Sequence, residues 1–222
     1  MAELGTTAKL PLDVTTARGK LIEALQKKYS KAYYLKQLEQ AVDCSFIQVL
    51  PSKSAVASKA NTLGYVGVGT TAHFTETWTK LIQKKIPSAF LKGSLAKASS
   101  QKTCTLDEAL AQNRKSIYLD GSNITLRAVA HELVHWLNHP NWGKTFDPVS
   151  WISEGAAEGL MRYLLEDDCK NSVYDSDVTK LQSMSSTDDL LPAYFDGDVT
   201  SLKKLATSFG DKDASNRAAE LT

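Results

Sequence analysis

Two histidines four residues apart constrain this chain more than any other feature of its sequence. His131 and His135 enclose the segment His-Glu-Leu-Val-His. On an α-helix, positions i and i+4 lie on one face, so both imidazoles can point at one metal ion. Glu132 lies one step round the helix and can reach a water molecule on that ion without binding the ion itself. The spacing therefore predicts a helix across these residues that carries part of a metal site.

A second segment offers the ligand that two histidines lack. A catalytic zinc ion takes three protein ligands and keeps one position open for water. Glu154 follows His135 after eighteen residues, within the segment Trp-Ile-Ser-Glu-Gly-Ala-Ala-Glu, and the apolar positions that follow predict a second helix. Glu158 lies one turn further along that helix. One carboxylate can bind the metal while the other accepts a hydrogen bond from the outer nitrogen of a ligand histidine.

Two neighbours of Glu154 are expected to shape the site. Gly155 leaves space where the two helices approach each other. Trp151 could cover one side of the site and help to exclude water. Both residues belong to the segment that carries the third ligand.

The two segments together resemble the gluzincin metallopeptidases, whose pattern is H-E-x-x-H, a spacer, and then W-x-x-E-G-x-A. The spacer is similar to that of the aminopeptidase branch, and the second segment also resembles bacterial collagenases. The resemblance implies one catalytic Zn²⁺ held by His131, His135 and Glu154. It implies that Glu132 is the general base and that Glu158 supports a ligand histidine. The Gly-x-Met-Glu-Asn segment of the aminopeptidases is absent, so aminopeptidase activity does not follow from the spacing.

Other residues compete for the third ligand position. His139 continues the four-residue series, but two such steps turn it about 80° round the helix, and Pro140 ends the helix beside it. We therefore favour Glu154 over His139. Cys104 lies far upstream without a matching glycine motif and is a weaker candidate. His73 lies in a Thr-rich stretch and is expected to be a surface or core histidine.

Amide hydrolysis also needs a group that stabilises the oxyanion of the tetrahedral intermediate. In gluzincins this group is a tyrosine or histidine well downstream of the third ligand, and no motif identifies it in this chain. Tyr194 is the first candidate and Tyr174 the second. Tyr163 is too close to Glu158 on the same helix to be favoured.

Periodicity along the chain predicts both helices and strands. Residues 15–41 and 198–205 have the three- and four-residue apolar spacing of amphipathic helices. Residues 46–50 and 116–120 are typical of strands, and either could offer the edge that pairs with an extended substrate. Ser122 or Asn123 is expected to cap the helix that carries the histidines.

These elements and the resemblance together predict an α+β fold. The expected architecture is a zincin-like metallopeptidase domain, with a small mixed sheet packed on the active-site helix and a mainly helical C-terminal part. A chain of 222 residues is expected to form a single domain over residues 1–222. Residues 1–115 would be the supporting part with the sheet, and residues 116–222 would hold the zinc site.

The amino-acid composition limits the binding partners and the cellular location that we expect for this chain. The net charge is +1, with lysine and arginine spread along the chain, which argues against nucleic acid and anionic membranes as partners. No apolar run approaches a membrane span, and the N-terminus lacks the features of a cleavable signal. Three widely spaced cysteines indicate reduced thiols. We expect a cytoplasmic protein, or one exported without a cleavable signal.

The sequence is compatible with three functions. The first is a zinc endopeptidase that acts on a protein or peptide substrate, including a secreted effector or toxin-like protease. The second is a zinc hydrolase of a non-protein amide, such as a cell-wall peptide. The third is a non-catalytic domain of zincin fold that retains the metal for structure. The intact Glu132 favours an enzyme over the third function.

Overall fold

The computed structural model describes residues 12–40, 47–50, 72–75, 116–120, 125–167 and 172–222. In chain order, the elements are α1 (Leu12–Lys28), α2 (Leu35–Gln40), β1 (Ile47–Leu50), β2 (Ala72–Thr75), β3 (Ser116–Asp120), α3 (Leu126–Leu137), α4 (Pro140–Phe146), α5 (Ser150–Leu165), α6 (Asp175–Met184), α7 (Thr187–Leu191), a π-helical turn (Pro192–Asp196), α8 (Val199–Phe209) and α9 (Lys212–Ala219). Cys104 and the other two cysteines lie outside the described residues, as do Ser122 and Asn123.

The three strands form one short mixed sheet. Its order is β1-β3-β2, with β1 parallel and β2 antiparallel to β3. Ile117 of β3 lies opposite Ile47 on one side and Phe74 on the other. Because β3 is paired on both sides, it cannot be the edge that receives an extended substrate. Of the two predicted strands, only β1 lies at an edge of this sheet.

The prediction of an α+β zincin-like domain built around a sheet is wrong. The part of the described chain that carries the site is 78% helical and contains no strand. Its core is made by helix-on-helix packing, with α3 against α1 and α5, and α5 against α6. On α1 the buried residues Ala17, Leu21 and Leu25 recur every four positions, which is the spacing of a helix that packs along one stripe.

Helix α3 lies at the centre of this helical assembly. All nine residues from Val129 to Leu137 are buried, so α3 is covered on every side. A helix that is buried all round belongs in the interior, and polar side chains on it must find partners there. His131, Glu132 and His135 are therefore held in the core, on the helix whose neighbour is α5.

The ends of the helices differ in part from the predictions. Thr125 caps α3 by accepting a hydrogen bond from the backbone N–H of Ala128 at 3.1 Å. The predicted capped helix at 198–205 is present as α8, and the Asp198 side chain accepts from the N–H of Ser201 at 2.7 Å. The helix predicted over residues 15–41 is interrupted between α1 and α2. None of the described helices is long and apolar enough to cross a membrane.

Candidate metal centre

Three side chains from α3 and α5 converge on one point. Nε2 of His131 lies 3.2 Å from Nε2 of His135. Oε2 of Glu154 lies 3.2 Å from the first nitrogen and 3.3 Å from the second. Ligands about 2.0–2.1 Å from a tetrahedral zinc ion are about 3.3 Å apart, so this triangle has the size of a zinc site. Among the described residues, these three are the group that could hold a metal ion.

The surroundings of His131 favour positive charge between these atoms. Nδ1 of His131 lies 3.0 Å from Oε2 of Glu158, so it carries the proton and donates it. In a neutral ring, Nε2 then has a lone pair, which faces a carboxylate and a second imidazole nitrogen. Burial lowers the pKa of His131, but its hydrogen bonds to Glu154 and Glu158 outweigh burial and raise it to about 9. The cluster therefore favours positive charge at this point.

The chemistry of the three candidate ligands also suits a cation at this point. Burial alone would raise the pKa of Glu154, but its hydrogen bonds to the two histidines and their charges hold that pKa well below its usual range. Glu154 is thus an anion, as a metal ligand must be. Two imidazole nitrogens and one carboxylate oxygen suit zinc and related divalent transition metals.

Glu132 lies beside the cluster in a setting that changes its acidity. Its residue is only 8% exposed, and burial raises the pKa of its carboxyl to about 7. The charges of His131 and His135 oppose this rise, whereas the charge of Glu154 adds to it. A carboxyl group whose pKa lies near neutrality can both accept and release a proton, which is what a general base that later acts as an acid requires.

Glu158 is a buried carboxylate with partners on both oxygens. Oε2 accepts from Nδ1 of His131, as described above, and Oε1 accepts from Arg162 through Nε at 3.0 Å and Nη2 at 2.8 Å. Arg127 also donates to Oε1 through Nη2. Burial opposes ionisation, but hydrogen bonds to His131 and Arg162 lower the pKa of Glu158 to about 2. The structure thus brings Glu158 to a ligand histidine.

The two arginines were not predicted as part of the site. Arg127 precedes His131 by four residues on α3, and Arg162 follows Glu158 by four residues on α5. Residues four apart lie on one face of a helix. This spacing was the signal in the sequence that could have identified both.

The three candidate tyrosines occupy different environments. Tyr174, which precedes α6, stacks on His131 with ring centroids 5.0 Å apart and planes 6° from parallel. Burial, the charges of Glu154 and Glu132, and a hydrogen bond to Glu154 raise the pKa of Tyr174. Tyr163 is exposed, with Nζ of Lys28 4.8 Å from its ring centroid.

Tyr194, the first candidate, lies in the core. It is fully buried, and its hydroxyl donates to the backbone carbonyl of Val134 at 3.1 Å. Its ring packs on Trp142 with centroids 4.7 Å apart. A hydroxyl committed to a backbone carbonyl is not available to an oxyanion. The structure therefore brings Tyr174, and not Tyr194, to the metal cluster.

The rival ligand His139 has a structural role. Its Nδ1 accepts a hydrogen bond from the N–H of Asn141 at 3.1 Å and so caps α4. Its backbone N–H donates to the carbonyl of Tyr194 at 2.7 Å. Its ring fills the space above Gly197, where an added Cβ would lie 1.8 Å from Nδ1. The preference for Glu154 over His139 agrees with these contacts.

Trp151 and Gly155, which were expected to shape the site, contact α8 and α6. Trp151 packs edge-on against Phe209, with Nζ of Lys180 3.6 Å from its ring centroid. The predicted cover over the metal site is therefore not seen. Gly155 does mark a close approach of helices, but the approach is between α5 and α6. A Cβ at Gly155 would lie 3.0 Å from the backbone carbonyl of Asp177.

Comparison with known proteins adds no relative. No protein-family profile matches the chain, and no curated protein or solved structure is a significant match. The gluzincin resemblance thus stands on its motifs alone. The structure itself shows two buried histidines and a half-buried glutamate that together could hold a metal ion.

Proposed function

We propose that this chain is a zinc-dependent metallopeptidase of gluzincin type, an endopeptidase that acts on a protein or peptide substrate. One observation carries the proposal. The ligand atoms of His131, His135 and Glu154 lie 3.2–3.3 Å from one another, on two helices of a packed core. The buried carboxyl of Glu132 is next to His131 on the same helix. This is the donor set of a catalytic zinc site with a proton acceptor beside it.

The chemistry follows from the residues. A zinc ion held by this triad would supply Lewis-acid chemistry, polarising water and the scissile carbonyl. Glu132 takes the proton of the attacking water and returns it to the leaving amine. Tyr174 replaces Tyr194 in this role: its hydroxyl, which is hydrogen-bonded to the ligand carboxylate of Glu154, would exchange that partner for the oxygen that gains negative charge.

Two helices keep the ligands in place. His131 donates through Nδ1 to Glu158, which fixes the tautomer that presents Nε2 to the metal. Tyr174 covers one face of the same ring. A ligand set with little freedom of movement loses little entropy when the metal binds, and it also keeps the reacting atoms aligned.

Metal content tests the site first. Wild-type protein and Glu154→Ala would be purified without added metal and assayed by elemental analysis, with Glu23→Ala on the exposed face of α1 as the matched control. We expect about one zinc per chain in the wild type and in the control, and little in Glu154→Ala. Full zinc retention by Glu154→Ala would remove Glu154 from the ligand set, and a wild type that binds no offered zinc would refute the enzyme.

Hydrolysis is tested next with Glu132→Gln. This variant should keep its zinc and lose peptide hydrolysis by about 10²–10⁴-fold, the usual contribution of general acid–base catalysis. Substrates would include a mixture of unfolded proteins, short peptides and cell-wall peptides. Cleavage of cell-wall peptides alone would favour the hydrolase of a non-protein amide. Zinc binding without any hydrolysis by the wild type would favour a structural metal site.

A further inference from the structure

Two arginines meet on the carboxylate that contacts the ligand His131. Three of their N–H groups point at Oε1 of Glu158: Nε and Nη2 of Arg162, and Nη2 of Arg127. The other carboxylate oxygen accepts from Nδ1 of His131 at 3.0 Å. The Glu158 side chain is only 3% exposed. One buried carboxylate therefore joins both guanidinium groups to a metal-ligand candidate.

The arginines are themselves fixed at a second point. Nη1 of Arg127 donates to Asp167, just beyond the end of α5, and Nη2 of Arg162 donates to Asp175, the first residue of α6. Each guanidinium group therefore binds two carboxylates, that of Glu158 and that of one aspartate. Such planar, forked donors hold two acceptors at fixed angles, which a lysine ammonium does not reproduce.

Arg162 is also linked to the tyrosine that stacks on the ring of His131. Asp175 directly follows Tyr174, whose ring stacks on His131. Arg162 is thus bonded both to the carboxylate at the edge of the imidazole and to the neighbour of the tyrosine that covers its face.

We propose that Arg127 and Arg162 are positioning residues of the metal centre, which act through Glu158 to hold His131 with Nε2 towards the metal. Without them, a carboxylate buried beside His131 would lose its charged partners, and burying an unpaired charge is unfavourable. Glu158 would then move towards water, and Nδ1 of His131 would lose the acceptor that orients the ring. The inference rests on the proposed function only in requiring a metal at the triad. It requires no hydrolysis.

Metal affinity measures the proposed role directly. The affinity of the metal-free protein for Zn²⁺ would be determined by competition with a chromophoric chelator, for the wild type, Arg162→Gln and Arg127→Gln. Loss of such an outer partner weakens metal binding by about 10–100-fold, and we expect this range for Arg162→Gln. The matched control is Arg217→Gln, because Arg217 is half-buried but donates to the carbonyl of Thr145, away from the metal cluster. Its affinity should equal that of the wild type.

A double-mutant cycle separates positioning from a general loss of stability. If Arg162 acts through Glu158, Arg162→Gln should weaken Zn²⁺ binding by less than about twofold when Glu158 is already Gln. The visible spectrum of bound Co²⁺ should change in Arg162→Gln and stay unchanged in the control. Where Arg162→Gln does not fold, as judged by circular dichroism, Arg162→Lys keeps the charge without the fork and should still weaken binding.

The outcomes distinguish this inference from the proposed function. Wild-type Zn²⁺ affinity and Co²⁺ spectrum in Arg162→Gln would overturn the positioning role, even if the wild type is an active peptidase. An equal loss of affinity in the presence and absence of Glu158 would overturn it as well. Conversely, a wild type that binds Zn²⁺ and cleaves nothing would refute the peptidase. The positioning role would then still be supported by weakened binding in Arg162→Gln.

Discussion

Replacing Gly155 by alanine tests how closely α5 packs on α6. A Cβ at this position would lie 3.0 Å from both the carbonyl carbon and the oxygen of Asp177, and 3.2 Å from its Cβ. The first two are backbone atoms, which cannot rotate away as a side chain can. Alanine at position 155 therefore requires α6 to move by a few tenths of an ångström, and Tyr174 precedes that helix.

The magnitude follows from two opposing effects. Alanine in place of glycine stabilises a helix interior by about 1 kcal/mol. Overpacking in a well-packed interior is unfavourable by about 1–3 kcal/mol. We expect Gly155→Ala to lower the free energy of unfolding by about 1 kcal/mol, which corresponds to a fall of about 2–4 °C in Tm for a chain of this size.

Gly159 provides the matched control, one turn further along α5. A Cβ there would meet only Cγ1 of Val178, at the ordinary contact distance of 3.8 Å. Gly159→Ala should therefore raise the free energy of unfolding by about 0.5–1 kcal/mol. Thermal unfolding followed by circular dichroism in EDTA measures both variants without a contribution from bound metal. A rise in Tm for Gly155→Ala equal to that for Gly159→Ala would refute the close approach of α5 and α6.

Three further predictions concern the metal and the reassigned residues. Zinc at 100 times its Kd should stabilise the fold by about 2.7 kcal/mol over the chelated protein, and an unchanged Tm would contradict binding to the folded state. His139→Ala should destabilise by about 1 kcal/mol through loss of its hydrogen bond to Asn141, with metal content kept, whereas loss of the metal would return His139 to the ligand set. Tyr194→Phe should destabilise by about 1 kcal/mol and leave kcat unchanged, while Tyr174→Phe should lower kcat about a hundredfold. Equal kcat values for these two variants would remove Tyr174 from the proposed role.

The local part of the candidate site follows from spacing in the sequence. A helix has a fixed geometry, so residues four apart share a face whatever the surrounding fold. This places His131 beside His135, and the same rule relates Arg162 to Glu158. The convergence of Glu154 on the two histidines is not local, since it depends on how α5 packs against α3. The gluzincin motif, and not periodicity, supplied that expectation.

Contacts between distant segments of the chain explain most of the differences between the predictions and the structure. The helix predicted over residues 15–41 is interrupted between Lys28 and Leu35, although residues 29–34 include no proline or glycine. At this break the N–H of Tyr33 donates to the carbonyl of Phe195 at 3.0 Å. Tyr174 and Tyr194 are equivalent as residue types. Only the packing of α6 on α5 brings the first to His131, while Val134 binds the hydroxyl of the second. The periodicity of apolar residues along the sequence predicts neither contact.

The fold class was wrong for a related reason. The predicted strands at 46–50 and 116–120 are present as β1 and β3, but they lie outside the helical part of the chain that carries the site. The resemblance, whose motif lies within residues 117–165, led to the expectation that a sheet would organise the whole domain. The repeated apolar stripe of α1 is a longer and stronger signal, and it indicates the helical packing that the structure has.

The order of the ligands along the chain bears on how the protein folds. The most distant pair of ligands, His131 and Glu154, is separated by only 23 positions. Both arginines and both of the supporting carboxylates Glu132 and Glu158 lie within the same continuous segment, 125–167. Closing so short a loop has a small entropic cost, and contacts of low sequence separation form quickly. The three candidate ligands can therefore come together before the last helices, α8 and α9, dock on the rest of the fold.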